Sequence, residues 1–163
     1  MAAAVSRATS ALLGAGVRHQ VHRYHHDRRV GSYGAEAVDA LCTQLSVHPQ
    51  RVLKTLVVTM DGGLAVAVLP VPDRLELRSV AAALGGRRSQ LAERAAVERA
   101  TGYVLGGVSP LGQRTRLPTV LHSPVMDHPT VLCSGGLRGL EVELAPGDLQ
   151  RLTDAVLAPI TQG

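Results

Sequence analysis

The 163-residue sequence contains no tryptophan, no phenylalanine and three tyrosines. Aromatic side chains often dominate cores, so a core here must be packed with valine, leucine and alanine. A chain of this length buries about 70% of its unfolded surface, and we expect one domain over residues 1–163 that needs neither metal nor disulfide. With so few aromatic rings, a platform that stacks nucleic-acid bases is also disfavoured.

Cysteine and long apolar runs are scarce as well. The two cysteines, Cys42 and Cys133, make no disulfide framework and are expected to be small buried hydrophobes, which fits a reducing cytoplasm. No segment reaches the roughly 18 to 20 apolar residues of a membrane-spanning helix, so we expect a soluble, cytoplasmic protein with no membrane partner. Polar residues interrupt the apolar start of the chain, which is interpreted as a first helix and not as a targeting peptide.

Lysine occurs once, at Lys54, among seventeen Lys and Arg that oppose thirteen Asp and Glu, for a net charge of +4. This positive net charge slightly favours polyanionic partners. In the run RVLKTLVVTM, alternation places Lys54 on one strand face with Leu56 and Val58. A buried cation needs a partner, so Lys54 is expected at a cleft or beside an anion. The alternative is a side chain that extends to solvent at the start of the strand.

Glycine is concentrated between Thr101 and Gly112, which read TGYVLGGVSPLG. Glycine allows positive φ and close approach of a ligand to the backbone, and Pro110 fixes its own φ. The segment therefore predicts a rigid loop with accessible amide groups. Ordinary turns give the same signals, and that interpretation stays open.

Hydrophobic periodicity and turn residues predict the remaining elements. Asp73 and Ser89 are assigned as helix N-caps, and Asp61 to Gly63 as a hairpin turn. Helices are predicted over 6–13, 33–45, 75–86, 91–100 and 146–160, and strands over 17–24, 51–60, 64–69, 117–122, 130–134 and 139–144. This mixture predicts an α+β domain with a mixed, mostly antiparallel, barrel-like sheet surrounded by helices.

A cluster of imidazoles and one carboxylate precedes the second helix, at His19, His22, His25, His26 and Asp27. These groups are good zinc ligands. The cluster contains no cysteine, so solvated or nucleic-acid-facing histidines are favoured over a metal site.

Four motifs in order resemble the YbaK-type (YbaK/EbsC) free-standing aminoacyl-tRNA deacylases: KTLVV at 54–58, TGYVLGGVSPLG at 101–112, LPT at 117–119 and SGGLRGLEVELAPGDL at 134–149. The resemblance extends from the HRYHHD segment to the terminal helix. Within the superfamily of prolyl-tRNA synthetase editing domains, it is strongest to the Cys-tRNA(Pro) deacylase branch.

This resemblance implies an editing fold and a carboxylic ester hydrolase that cleaves mischarged Cys-tRNA(Pro) in trans. It also implies tRNA(Pro) and a transient complex with prolyl- or cysteinyl-tRNA synthetase as partners, with no metal or organic cofactor. One alternative is an Ala-tRNA(Pro) or broader-specificity deacylase. Another is a non-catalytic module that binds tRNA or synthetase through arginines near the glycine-rich loop, at Arg87, Arg88, Arg114 and Arg116.

The resemblance also implies site residues. The catalytic pair is Lys54, which matches an essential lysine, and Gly106, the first glycine of the GxxxP loop. Substrate-binding positions are Tyr24, Tyr33, Thr55, Gly107, Pro110, Ser134, Gly135 and Glu141. Two of these depart from the family pattern, because Tyr33 replaces an apolar aromatic residue and Glu141 replaces aspartate.

Ester hydrolysis needs stabilisation of developing negative charge, which the amides of Gly106 and Gly107 and a fixed cation can supply. The sequence shows neither Ser-His-Asp order nor a reactive cysteine context. In the family, the thiol of the cysteinyl substrate is thought to attack its own carbonyl, so substrates without a thiol are expected to be cleaved poorly. This mechanism requires Lys54, Gly106 and Ser134 to converge on one cleft.

Overall fold

A computed structural model describes residues 4–25 and 33–163, in which the chain forms five α-helices and eight strands. No helix in these ranges is long and apolar enough to cross a membrane. In chain order the elements are α1 Arg7–Gly14, β1 His19–Arg23, α2 Tyr33–Leu45, β2 Leu53–Met60, β3 Gly63–Pro70, α3 Leu77–Leu84, β4 Ser89–Leu91, α4 Arg94–Thr101, β5 Thr119–His122, β6 Val131–Ser134, β7 Leu140–Leu144, α5 Pro146–Thr153 and β8 Val156–Ala158, with short 3-10 helices at Pro49–Arg51 and Ser123–Asp127.

The strands form two sheets, and the α+β class with mixed, mostly antiparallel pairing is confirmed. One sheet has the order β4-β2-β3-β5-β8, with parallel pairing of β5 to β3 and to β8, and the other is the antiparallel sheet β1-β7-β6. The two sheets do not close into a barrel. They meet at one isolated parallel bridge between Val52 and Leu132.

The predicted aliphatic core is observed. The largest fully buried side chains are leucines, one isoleucine and valines, which fill the space between the sheets, the space under α3 and the space under α2. Both cysteines are free; Cys133 is buried, whereas Cys42 is half-buried. Leucine, isoleucine and valine side chains on the sheet faces thus fill the core in the place of aromatic rings.

Two predicted N-caps are wrong. Helix α3 begins after Glu76, whose carboxylate accepts from the Arg78 amide, and not after Asp73. Ser89 starts strand β4 and donates its hydroxyl to the carbonyl of Leu77. Acidic and hydroxyl side chains cap helices but also bond in loops and strands, so residue type alone did not distinguish these positions.

The predicted terminal helix is too long. Helix α5 ends at Thr153, and Asp154 adopts a left-handed conformation with φ of 53°. The residues that follow form β8, which pairs in parallel with β5 at the edge of the larger sheet. Apolar residues at helical spacing continue through Val156 and Leu157, but the available sheet edge decides their conformation.

Helix α1 supports two loops. Its N-cap Ser6 forms a capping box with Thr9 and also donates its hydroxyl to the Gly135 carbonyl, at 2.5 Å. Within the glycine-rich loop, the Tyr103 hydroxyl donates to the Leu111 carbonyl, also at 2.5 Å. The Arg7 backbone lies close to Gly112 at the end of the same loop, so the start of α1 contacts both loops.

A substitution at Gly112 tests the contact between α1 and the glycine-rich loop. Gly112 has φ of 64°, and a Cβ atom there would lie 2.5 Å from the Arg7 carbonyl oxygen. We expect Gly112→Ala to lower the free energy of unfolding by about 1–3 kcal/mol, the cost of a strained backbone, measured by urea denaturation. The matched control is Gly147→Ala, because a Cβ atom there meets no atom within 4 Å. Equal midpoints for the two variants would contradict the predicted contact.

Candidate functional site

A cavity of about 280 Å³ opens where α2, the start of β2 and the small sheet come together. Its volume is just below the range of roughly 300–1,000 Å³ for drug-sized ligands, so it fits a small group. The lining residues are Tyr24, Tyr33, Gly34, Ala37, Leu53, Lys54, Thr55, Leu56, Val71, Leu105, Gly106, Val108, Ser134 and Glu141.

Lys54 contributes an ammonium group to this cavity, as its place on an apolar strand predicts. Its Nζ donates to the carbonyls of Val71, at 3.2 Å, and Asp73, at 2.6 Å, just beyond β3. Burial lowers the pKa of Lys54, and the charge of Asp73 opposes this effect. Since an ammonium has three donors, one N–H remains for a ligand.

Gly106 forms the opposite wall. Its φ is 90°, and a Cβ atom would lie 2.8 Å from the Tyr33 ring and 2.9 Å from Nε of Arg138. The glycine is therefore required by both conformation and space. Among the described residues its amide has no hydrogen-bond acceptor, which leaves a backbone donor at the cavity.

Arg138 packs behind this wall, against the lining residues Tyr33 and Leu105, and sequence reasoning missed it. Its guanidinium carbon lies 4.8 Å from the centre of the Tyr33 ring, and its Nε donates to the Leu105 carbonyl at 2.8 Å. Both contacts join residues far apart in the chain. The one available signal was the place of Arg138 inside the SGGLRG run.

Glu141 places a carboxyl group in the cavity with 5% of its surface exposed. Its Oε2 and the Oγ1 of Thr55 are buried and lack a hydrogen-bond partner among residues 4–25 and 33–163. Burial raises the pKa of Glu141 to about 8. Burial also raises the pKa of Tyr24, and the charge of Glu141 adds to that effect.

Three polar residues form a row across neighbouring strands. Ser134 on β6 is the register partner of Glu141 on β7. On its other side, β6 meets β2 through the parallel bridge between Leu132 and Val52. Ser134 and Lys54 each lie two residues after the bridged residue of their own segment. The ammonium and the carboxyl therefore flank Ser134, whose Oγ accepts from the Gly136 amide at 3.1 Å.

Three of the predicted substrate-binding residues do not line this cavity. The Gly107 amide donates to the Val104 carbonyl at 2.9 Å, so Gly107 is not available as a second donor. Pro110 borders a different hollow beside α5, and the Gly135 amide donates to the Leu140 carbonyl. Glycine and proline at these positions shape the loops, and their direct role in binding stays a prediction.

The histidine cluster is only partly within the described residues, because His26 and Asp27 lie outside them. His22 bonds through Nε2 to Glu143, at 2.8 Å, and Nδ1 of His19 bonds to the Val17 carbonyl. Residues 4–25 and 33–163 hold no group of three His, Cys, Asp or Glu placed to bind a metal.

The four arginines proposed as a phosphate-binding surface lie in two places. Arg114 lies next to Gly102 at the start of the glycine-rich loop, and Arg116 borders the hollow next to Pro110. The other two are near the hairpin turn at the far end of β2: the Arg87 amide donates to Asp61, and Arg88 borders the same turn. The expectation that all four lie near the loop is therefore wrong.

Comparison with known proteins gives one consistent family. The aminoacyl-tRNA editing domain family matches residues 33–152. A protein of Enterococcus faecalis named "Putative Cys-tRNA(Pro)/Cys-tRNA(Cys) deacylase EbsC" is 33% identical over 126 residues, 77% of either chain. The proline–tRNA ligase of Moorella thermoacetica is 35% identical over 85 residues, which are 52% of this chain and 15% of the ligase.

A solved structure shows the same fold. The crystal structure of "a putative trans-editing enzyme for prolyl tRNA synthetase" has a TM-score of 0.84 and 25% identity, covering 100% of this chain and 99% of the other.

The buried carboxyl predicts a pH-dependent stability. Because the pKa of Glu141 rises from 4.5 to about 8 on folding, its contribution to stability is fully present below pH 4.5 and is lost as pH rises toward 8. The free energy of unfolding should fall by up to about 1.4 kcal/mol per pH unit in this window. Urea denaturation of Glu141→Gln should lack this component, whereas the exposed control Glu93→Gln should keep it. Parallel pH profiles for wild type and Glu141→Gln would refute this assignment.

Proposed function

This chain belongs to the aminoacyl-tRNA editing domain family, and we propose that it hydrolyses the ester of mischarged Cys-tRNA(Pro) in trans. The family membership makes it a hydrolase of aminoacyl-tRNA. The residues of the cavity must account for the proposed preference for cysteine and for tRNA(Pro). Residues 1–163 are proposed to act as one editing domain.

The observation that carries this proposal is the convergence of Lys54, Gly106 and Ser134 on one small cavity. These residues come from β2, the glycine-rich loop and β6, so the fold brings together three distant motifs. Lys54 retains one free N–H, and the Gly106 amide has no acceptor among the described residues. An ester carbonyl placed between them would meet two donors.

These donors support ester cleavage by charge stabilisation. When a nucleophile adds to the ester carbonyl, its oxygen becomes negative, and preorganised donors in a partly buried site lower the energy of that state. We assign this role to the Gly106 amide and the Lys54 ammonium. The backbone carbonyls that hold Lys54 fix its position before substrate binds.

The nucleophile is proposed to be the thiol of the substrate. No histidine lines the cavity among the described residues, and burial raises the pKa of the Cys133 thiol well above its usual value. In the proposed step, sulfur bonds to the carbonyl carbon, the ester C–O bond breaks, and the ribose oxygen takes up the proton released by the thiol. The products are free tRNA and a cysteine thiolactone, which water then opens to cysteine.

The tRNA and a synthetase are the proposed partners. The small cavity accommodates the aminoacyl group, so the nucleotides must lie at its rim. Arg138 at that rim offers a cation for a phosphate group. A transient complex with prolyl- or cysteinyl-tRNA synthetase is proposed because the Enterococcus relative is named for both Cys-tRNA(Pro) and Cys-tRNA(Cys).

Replacement of Lys54 tests the charge-stabilising role. We expect Lys54→Ala to lower kcat for Cys-tRNA(Pro) about 100- to 1,000-fold, the usual loss for one oxyanion donor, with an unchanged thermal transition. Initial rates with radiolabelled Cys-tRNA(Pro) and correctly charged Pro-tRNA(Pro) provide the measurement, and Arg151→Ala, on the exposed side of α5, is the control. If wild-type protein releases no cysteine, the deacylase function is refuted. Turnover by Lys54→Ala at the wild-type rate would remove the lysine from the mechanism.

The proposed nucleophile predicts selectivity by chemistry. Ala-tRNA(Pro) fits the same cavity but lacks a thiol, and we expect it to be cleaved at least about 100-fold more slowly, because an intramolecular nucleophile has a large effective concentration. Single-turnover rates of the two esters measure the ratio. Similar rates would instead support a broader-specificity deacylase that uses water. Binding of either tRNA without any turnover would support the non-catalytic module.

A further inference from the structure

Two unpartnered oxygens in the cavity are not used by the proposed chemistry. Oε2 of Glu141 and Oγ1 of Thr55 are buried, and both lack hydrogen-bond partners among the described residues. Buried polar atoms are nearly always hydrogen-bonded, and exceptions need an explanation. Since both residues line the same cavity, a ligand that donates hydrogen bonds would satisfy both.

The described lining offers Glu141 no cation of its own. Lys54 is the one positively charged residue among the lining residues, and two of its three donors are held by the carbonyls of Val71 and Asp73. Ser134 lies between Lys54 and Glu141 in the strand order. A buried carboxylate without a positive partner is strongly disfavoured, so a cationic group of the ligand fits this end of the cavity.

The substrate class proposed above carries such a group. In an aminoacyl ester, the α-ammonium is separated from the carbonyl carbon by two bonds of about 1.5 Å each. With the carbonyl between Gly106 and Lys54, the ammonium extends toward the opposite end of the row, where Glu141 lies. One small ligand of this class therefore carries both an acceptor for the donors at one end of the cavity and a cation for the carboxyl at the other.

We propose that Glu141 binds the free α-ammonium group of the esterified amino acid, with Thr55 as a second acceptor. The enzyme therefore selects esters whose amine is unmodified. It rejects N-acylated esters, such as formylated aminoacyl-tRNA and peptidyl-tRNA, because an amide carries no positive charge and adds bulk at the buried carboxyl. This inference rests on the proposed function for the identity of the substrate.

Binding of an ammonium should also change the protonation of Glu141. Burial raises the pKa of the free Glu141 carboxyl to about 8, and an adjacent cation favours the ionised form. Ligand binding at pH 7 should therefore release a proton. The groups that face this carboxyl or interact with it from neighbouring elements are Tyr24 after β1, Lys54 and Thr55 on β2, and Cys133 and Ser134 on β6. The charge of Glu36 on α2 acts on Tyr24.

Calorimetry with non-hydrolysable ligands tests the proposal directly. The probes are 3′-cysteinylamino-3′-deoxyadenosine, in which an amide replaces the ester, and its N-acetyl derivative. For the wild type we expect N-acetylation to weaken binding about 10- to 100-fold, the range for a hydrogen bond to a charged group. We also expect proton release at pH 7 with the free amine alone, measured in buffers of different ionisation enthalpy.

Variants isolate the carboxyl. In Glu141→Gln, the free amine should bind about 10- to 100-fold more weakly without proton release, and N-acetylation should cause a smaller further loss than in wild type, because only its added bulk still counts. Glu141→Asp keeps a carboxyl and should retain part of the preference. The matched control Glu93→Gln, at the exposed start of α4, should bind like wild type. Equal affinities of wild type for the two probes, or no binding of the free amine, would overturn the proposal.

A second readout separates this inference from the proposed function. Wild-type protein should cleave Cys-tRNA(Pro) at least tenfold faster than N-acetyl-Cys-tRNA(Pro), which retains the thiol. Equal cleavage of both esters overturns amine recognition and leaves the deacylase function intact. Cleavage of neither overturns the deacylase function, and the calorimetric comparison then decides whether the cavity recognises amines.

Discussion

The site depends on the parallel bridge between Val52 and Leu132, where the two sheets meet. Both side chains are fully buried and pack with Leu41 of α2. Among the described residues, no backbone pairing joins β2 to β6 after this bridge. The space between the two strands is therefore open, and Lys54 and Ser134 line it. A packing contact among aliphatic side chains thereby determines where a polar pocket forms.

The two ionisable side chains at the ends of that pocket, Lys54 and Glu141, differ in their hydrogen-bond support. Backbone carbonyls beyond β3 hold the Lys54 ammonium, which makes it a fixed feature of the pocket. Oε2 of Glu141 has no comparable support among the residues that the structure describes, and burial raises the pKa of this carboxyl to about 8. Such local departures from good packing concentrate at functional sites, and this contrast separates a preformed element of the pocket from one that ligand completes.

Sequence reasoning succeeded where the signal is local. The β2–β3 hairpin, helix α2 and strand β1 follow from periodicity and turn residues within a few positions. It fails where distant residues decide. A free sheet edge makes Val156–Ala158 a strand, and Asp73, predicted to cap a helix, instead supplies a backbone carbonyl that holds Lys54. The stacking of Arg138 on Tyr33 and the isolation of Glu141 are likewise products of tertiary packing.

The absence of tryptophan gives the cavity a spectroscopic signature. Ultraviolet emission of this protein comes from phenol rings alone. Two of the three, Tyr24 and Tyr33, line the cavity, while Tyr103 is buried and bonded to the Leu111 carbonyl in the adjoining loop. Two of the three emitting rings therefore lie at the site itself, so ligand entry alters their surroundings in the unlabelled, wild-type protein.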